Sequence, residues 1–359
     1  MLIVSCDIAL TDDMMGHEEI SVEEEIVLST PLASPTPTPN PSPTSAPRPA
    51  YPTVTIAGEK FCTSLTELDL FSEDLSNEDI RSLRYMINLI SLNLWIPNID
   101  DISPIAELVN LEELTINHGI LSDITPLSSL VNLRTLDLRE NQISDLTPLS
   151  ELKNIEFLSL MKNLVEDISP LSNLIKLRVL ILNIFSGDAI GVSMERNDID
   201  WMLEVRGNRI NDLTPLANLT NLEGLFLAGI KVQDLSPLAG LVNLRELNLS
   251  INRVSDLAPL SNLNNLEDLS LGFNRINDIV SLSNLLNLHS LILDNNQVSD
   301  ISPLSGLTEL KVLSLSDNQI SEISPLSGIG GLRWLFAEGN PVTDWSPVEH
   351  VEHVWGRPR

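Results

Sequence analysis

Two cysteines, Cys6 and Cys62, and five histidines, His17, His118, His289, His350 and His353, are the side chains here that do nucleophilic or metal chemistry near neutral pH. Their spacing organises none of it. No motif ties a His or Asn to either thiol, as a cysteine nucleophile requires. Cys62 stands three residues before Leu65, where a small buried apolar side chain is expected. His350 and His353 are three apart and could share a helical face as metal ligands, but a frayed C-terminus is the simpler account. Recurring aspartates, among them Asp145, Asp256 and Asp300, form an acidic ladder of the kind calcium attracts. Each precedes a Pro-Leu turn, so capping of backbone amides explains them better. No catalytic constellation, metal site or cofactor is implied.

The elements that position these residues repeat. The skeleton starts at Leu89, Leu111, Leu133, Ile155 and Leu177, and again at Leu222, Leu244, Leu266, Leu288, Leu310 and Leu332, with 22 residues between neighbouring starts within each set. Counting from the first leucine, positions 1, 4 and 6 are apolar, and positions 4 and 6 alternate as a short strand does. Position 9 tends to be Asn, as in Asn141, Asn252, Asn274 and Asn296, suited to hydrogen-bonding backbone where the chain turns. Position 13 is Asp, and position 16 is a Pro (Pro148, Pro259, Pro303) that fits the first turn of a short helix. Positions 11, 14, 17 and 20 are apolar. One unit cannot bury its apolar side alone, whereas stacked units share a continuous core. A Pro in nearly every unit argues against one long amphipathic helix.

The pattern Leu-x-x-Leu-x-Leu-x-x-Asn-x-Ile-x-Asp-Leu-x-Pro-Leu-x-x-Leu resembles the leucine-rich repeat of the bacterial internalin family, and is similar to repeats of phosphatase-regulating scaffolds. The match runs from about residue 65 to 348. The resemblance implies an α/β repeat fold: a right-handed leucine-rich-repeat solenoid with a concave parallel β-sheet and short 3-10 or helical turns on the convex side. It also implies that the chain binds proteins rather than catalyses reactions.

The organisation reads as follows. Residues 1–28 are a leader remnant and acidic tail, 29–56 a Pro/Ser/Thr-rich disordered linker, and 57–88 an N-terminal cap. Residues 89–348 are the repeats, with an irregular unit at 177–199, and 349–359 a C-terminal tail. Ile3-Val4-Ser5-Cys6 resembles a lipoprotein processing box, making Cys6 a lipidation candidate, although neither a basic start nor a full apolar segment precedes it. Nine prolines from Pro31 to Pro52 favour extended polyproline II. Some 22 such residues would reach roughly 70 Å at about 3.1 Å per residue, enough to hold a domain clear of a surface. Ser76 to Asp79 resembles a capping box opening a helix through Met86. Trp345, in the last unit, should help close the open end of the core.

The formal charge of −29 and the pI near 4.3 disfavour nucleic acid and anionic membranes as partners. Membrane association would come only through an N-terminal lipid anchor, since no stretch of 18 apolar residues occurs. Between Leu177 and Leu222 the spacing doubles. It reads as two units, the second starting at Asp200 with Leu203 and Val205 as strand residues, while the first keeps only its strand. Drift and a specialised binding loop both fit that first unit.

Variable strand positions should face solvent on the concave side. In the middle they are apolar: Phe157, Met161, Val179, Ile181, Ile184, Met202 and Phe226. Trp95 and Ile96 lie near one end, Phe273 further along, and Trp334 and Phe336 near the other. Such clusters mark contact surfaces, though some could pack against the irregular unit. Position 10 is basic in four successive units, Arg209, Lys231, Arg253 and Arg275, with Arg206 beside the first. This basic rim suits a protein partner with an acidic patch, or else pairs with nearby Asp and Glu. The expected function is noncatalytic protein recognition by a monomer at a bacterial cell surface, lipid-anchored or secreted, with a host or cell-surface protein as partner. The alternative is a cytoplasmic scaffold or regulatory subunit.

Overall fold

A computed structural model describes residues 52–71, 75–95, 97–184 and 207–358. The chain divides into two units, 1–50 and 51–359, and every described element belongs to the second. Cys6, Ile96, Met202 and Arg206 lie outside the described residues, as do Leu203 and Val205.

Strands β1 (Thr53–Ile56) and β2 (Glu59–Cys62) form an antiparallel hairpin. Thirteen strands follow: β3 (Glu67–Phe71), β4 (Ser91–Trp95), β5 (Glu113–Asn117), β6 (Thr135–Asp137), β7 (Phe157–Ser159), β8 (Val179–Ile181), β9 (Gly224–Phe226), β10 (Glu246–Asn248), β11 (Asp268–Ser270), β12 (Ser290–Ile292), β13 (Val312–Ser314), β14 (Trp334–Phe336) and β15 (His353–Trp355). They make one 13-stranded sheet in sequence order, and each neighbouring pair is parallel. Short 3-10 turns connect the strands, most of them three to five residues long and carrying Pro at the first or second position. This is the solenoid that the repeat implied.

Each unit is buried through the positions its pattern marks. Leu133, Leu136, Leu138, Ile143, Leu146, Leu149 and Leu152 are all 1% exposed or less. Full burial of such a side chain is worth about 1.5–3 kcal/mol before chain entropy is charged against it. The core is therefore a column of leucines shared between neighbours, with no layer complete in one unit.

Two rows of asparagines fasten the units together. Asn163 is fully buried. Its amide donates to Leu138 O (2.9 Å) and Leu160 O (3.1 Å), and its oxygen accepts from the Ile143 N–H (3.0 Å). Asn141, Asn252, Asn274, Asn296, Asn318 and Asn340 repeat this bonding. The row is interrupted in the unit starting at Leu222, where Ile230 occupies the place. A second row, at position 22, went unread in the sequence. Asn132, Asn154, Asn243 and Asn265 each donate to a main-chain carbonyl of the preceding unit at 2.8–2.9 Å.

The Asp at position 13 caps, as expected. Asp145 Oδ1 accepts from the Thr147 N–H at 2.8 Å, and Asp167, Asp212 and Asp300 do the same two residues ahead. Bonding to Thr147, through its hydroxyl and its amide, holds the Asp145 carboxyl below its ordinary range.

Three regions differ from the sequence reading. First, the N-terminal cap begins with the hairpin, whose two-residue turn places Ala57 at φ 51° and Gly58 at φ 81°. Of the expected capping box only one half forms: the Ser76 N–H and hydroxyl both donate to Asp79 Oδ2, at 2.9 and 2.5 Å, while the Asp79 N–H bonds the Ser76 carbonyl, and the segment that follows is a 3-10 helix, Asp79–Tyr85. Cys62 is only half-buried, because it sits on a hairpin strand rather than at a core position; its Sγ lies 2.9 Å from Ser64 Oγ.

Second, β8 pairs directly with β9, Val179 opposite Gly224 and Ile181 opposite Phe226. Arg178 meets Glu223 across 45 residues, where the equivalent Arg245–Glu267 pair spans 22. One step of the sheet therefore covers the stretch read as two units. The chain leaves after Ile184 and rejoins at Gly207, and Asn208 takes the asparagine place by donating to Leu160 O and Leu182 O. Leu203-x-Val205 and Asn208 imitate a repeat in sequence, but the hydrogen bonds of β8 and β9 are already spent on each other. A Cβ on Gly207 would lie 2.6 Å from Ile184 Cγ2, so this junction needs a glycine.

Third, the segment read as a tail supplies β15. His350 Nε2 lies 3.1 Å from Ile329 O, while His353 stacks on Trp334 with centroids 4.0 Å apart. The two histidines thus point to different neighbours, and no cluster of metal-ligating side chains occurs among the described residues. Trp345 is 7% exposed and joins the core near this end. Among the described residues no helix is long and apolar enough to cross a membrane.

Candidate binding face of the sheet

The leucine rows of the sheet point inward, and the alternate residues of each strand make up the other, concave face. Parallel register sets like positions side by side. One row runs Thr135, Phe157, Val179, Gly224, Glu246, and the next Asp137, Ser159, Ile181, Phe226, Asn248. Three districts result.

The N-terminal district is polar and paired. Arg139 is held by Asp137, Lys162 Nζ lies 2.7 Å from Glu140 Oε1, and His118 Nδ1 lies 2.6 Å from Glu140 Oε2. Trp95 meets His118 edge-on at 6.0 Å. The central district is apolar. Phe157, Val179, Ile181 and Phe226 are neighbours across β7, β8 and β9, and all four are half-buried, so each still shows surface. Gly224 leaves room for them: a Cβ there would stand 3.2 Å from the Phe226 ring and 3.6 Å from Val179.

The C-terminal district is aromatic. Trp334 and Phe336 of β14 stack against His353 and Trp355 of β15, Phe336 and Trp355 with centroids 4.5 Å apart. Sequence reasoning found Trp334 and Phe336 but missed their partners, because β15 lacks the repeat that would have marked it.

Some expected surface residues are not surface. Met161 is 7% exposed and Ile184 4%. Met161 lies at position 7, where the chain turns out of the strand and flanking units cover it. Asn183 and Ala228, at the same place, are buried too. Phe273, at position 8, is half-buried and has φ 56°. That left-handed conformation recurs at position 8 in His118, Glu140, Lys162, Ile251, Asn295 and Asp317. For the bulky Phe273 and the β-branched Ile251 it is costly, so the solenoid imposes it.

At the edge of this face, Arg209, Arg253 and Arg275 are exposed and Lys231 is half-buried. The backbone sets three of them in step: the N–H groups of Arg209, Arg253 and Arg275 donate to Val165 O, Val232 O and Val254 O at 2.8–2.9 Å. Among the described residues none of the four forms an ion pair. By contrast Arg134, Arg178 and Arg245, at position 2, are matched with Glu156, Glu223 and Glu267.

Asp294 stands apart from these groups. It is 8% exposed, accepts from Ser314 Oγ (2.5 Å) and the Ser316 N–H (2.9 Å), and burial pushes its carboxyl up to about 6.

Comparison with known proteins is consistent with this architecture. A family profile described as Leucine Rich repeats (2 copies) matches residues 131–173, 242–284 and 286–328. No curated protein sequence matches the chain. Among solved structures, the internalin InlF of Listeria monocytogenes is 29% identical with a TM-score of 0.66, covering 83% of this chain and 89% of its own. A leucine-rich-repeat protein of Leptospira interrogans is 25% identical with a TM-score of 0.67, covering 81% and 72%. Its repeat and its sheet make the chain a leucine-rich-repeat protein, and these likenesses support an internalin-like bacterial one.

Proposed function

We propose that the protein is a noncatalytic recognition module that binds another protein on the concave face of its sheet, displayed at the outer surface of a bacterial cell. The observation that carries this reading is the contiguous apolar patch of Phe157, Val179, Ile181 and Phe226. On the flanking strands β5, β6, β10 and β11 the alternate positions are polar, as solvent-facing strand residues are. A patch of partly exposed aromatic and branched side chains, rimmed by charge, has the composition of an interaction surface. Surface display is supported by the likeness to Listeria internalins and by the Cys6 box with its proline-rich spacer. Secretion without an anchor would serve the same recognition.

The test selects binders to the full chain from a displayed library of protein fragments, then challenges them with the Phe157→Ala, Phe226→Ala double variant. Selected fragments should lose most of their affinity while the variant melts close to wild type. Fragments that bind both proteins equally would overturn the concave-face reading. Incorporation of labelled palmitate at Cys6, with the gene's upstream codons present, tests display; no incorporation removes the lipid anchor.

A further inference from the structure

The rim at position 10 asks for an occupant of its own. We infer that Arg209, Lys231, Arg253 and Arg275 form a docking rail for an extended acidic segment of the partner polypeptide, an inference that rests on the protein-recognition reading above. The protein carries 50 acidic and 21 basic residues, so a run of cations in consecutive units stands out against its charge. Four of them stand in consecutive units without an ion pair among the described residues, while Arg134, Arg178 and Arg245 each meet a glutamate.

A structural role as counter-charge does not account for the rail. The position-13 aspartates run alongside it, but their carboxylates are held by the turn: Asp212 by the Thr214 amide, Asp234 by Ser236 and Asp256 by Ala258. The same aspartates stand in units where position 10 is Gln142 or Gln297, so they need no cation beside them.

Spacing and shape select the anion. Adjacent rungs are one strand apart, about 4.8 Å, so the rail runs about 14 Å. In an extended chain, carboxylates at every second residue recur at about 6.6 Å, and three of them span about 13 Å. Between the Lys231 and Arg253 rungs opens a groove of about 530 Å³, also lined by Asn211, Gln233, Ser255 and the two turn-capping aspartates Asp234 and Asp256. The Lys231 and Arg253 cations could reach one carboxylate side chain there, while the Asp234 and Asp256 oxygens accept from the Ser236 and Ala258 amides. The groove lies at the unit where Ile230 interrupts the asparagine row and Lys231 takes φ 71°.

The rail also adjoins the apolar patch. Ile181 shares its unit with Arg209, and Phe226 shares its unit with Lys231. An occupant must therefore carry apolar and acidic groups side by side, as a polypeptide does. A nucleic acid, with one charge per about 1.7 Å of duplex, would also meet the repulsion of the whole acidic chain.

The test measures fluorescence anisotropy of a labelled peptide alternating Glu and Thr over about seven residues, long enough to cover the rail. The full-length protein should bind it, more weakly as salt rises. Combining Arg209→Ser, Lys231→Ser, Arg253→Ser and Arg275→Ser should weaken binding at least about tenfold. Combining Arg134→Ser, Arg178→Ser and Arg245→Ser should leave it unchanged. Reversal of Arg253 alone, Arg253→Glu, provides a milder variant if the quadruple one melts early. The rail is overturned if the wild type ignores the peptide, if the rail variants bind it as well as wild type, or if a sulfated oligosaccharide binds where the peptide does not. Failure here with loss of fragment binding in the Phe157→Ala, Phe226→Ala variant would sink the rail and spare the concave face.

Discussion

Replacing Asp294 by Asn should stabilise the protein at about pH 8 and change little at about pH 4. Asp294 is 8% exposed, and burial is the main reason its carboxyl is pushed up to about 6, with the Asp317 and Glu338 carboxylates adding repulsion. An unfolded Asp titrates near 3.9, so the folded state holds this proton more tightly. Its contribution is therefore full below about pH 4 and is lost as pH rises through about 6. A gap of about two pKa units corresponds to roughly 3 kcal/mol at 1.36 kcal/mol per unit. The two bonds from Ser314 Oγ and the Ser316 N–H oppose that loss, and an Asn oxygen keeps an acceptor for both. A net gain of roughly 1–3 kcal/mol at alkaline pH is expected, read as a rise in urea midpoint for Asp294→Asn. Equal destabilisation of Asp294→Asn at both pH values would refute the reasoning, because the ionised oxygen would then be worth more than its burial costs.

Other consequences follow from the rows that join the units. Asn163→Ala strands the Ile143 N–H and the Leu138 carbonyl in the core, which should cost about 3–5 kcal/mol in denaturant unfolding; a loss below about 1 kcal/mol would show that water replaces the amide. Asp145→Ala, at an exposed cap, should cost far less. Its carboxyl is held below the ordinary range, so the contribution is present above the unfolded pKa and fades as pH falls through the folded one, which parallel melts of variant and wild type at descending pH would detect. Gly207→Ala drives a methyl to 2.6 Å from Ile184 Cγ2 and should cost about 1–3 kcal/mol, with part recovered in the Gly207→Ala, Ile184→Ala pair. No recovery would place the strain elsewhere.

Most of the fold was legible because each unit repeats the same physical solution. Leu136, Leu138, Asn141, Asp145 and Pro148 each answer a local requirement for burial, bonding or turning, and the pattern states the requirement many times. Legibility failed where a signal appears once. The hairpin through Ala57 and Gly58 is short, and β15 has no repeat around it. Leu203, Val205 and Asn208 reproduce enough of the pattern to suggest a unit with its own strand, yet Val179 and Gly224 pair directly; among the described residues Asn208, Ile210 and Asp212 do keep their expected places. The asparagines at position 22 were visible but unread, because a surface-facing Asn at a turn has many explanations.

The binding face was legible in outline. Alternation placed Phe157, Val179, Ile181 and Phe226 on the outward side, but could not foresee that position 7 closes over Met161. The cations of the rim were visible as a pattern. That four of them form no ion pair among the described residues depends on side-chain geometry, which period and composition do not encode.

The most direct test of the account installs a photo-crosslinking residue in the full-length protein at position 179 in one form and at position 242 in another. Val179 lies in the apolar patch of the sheet, and Val242 is exposed in the connection between β9 and β10. Irradiation with a fragment selected for binding should give a covalent adduct at 179, competed away by unlabelled wild-type protein, and none at 242. Adducts at 242 with none at 179 would contradict recognition through the concave face.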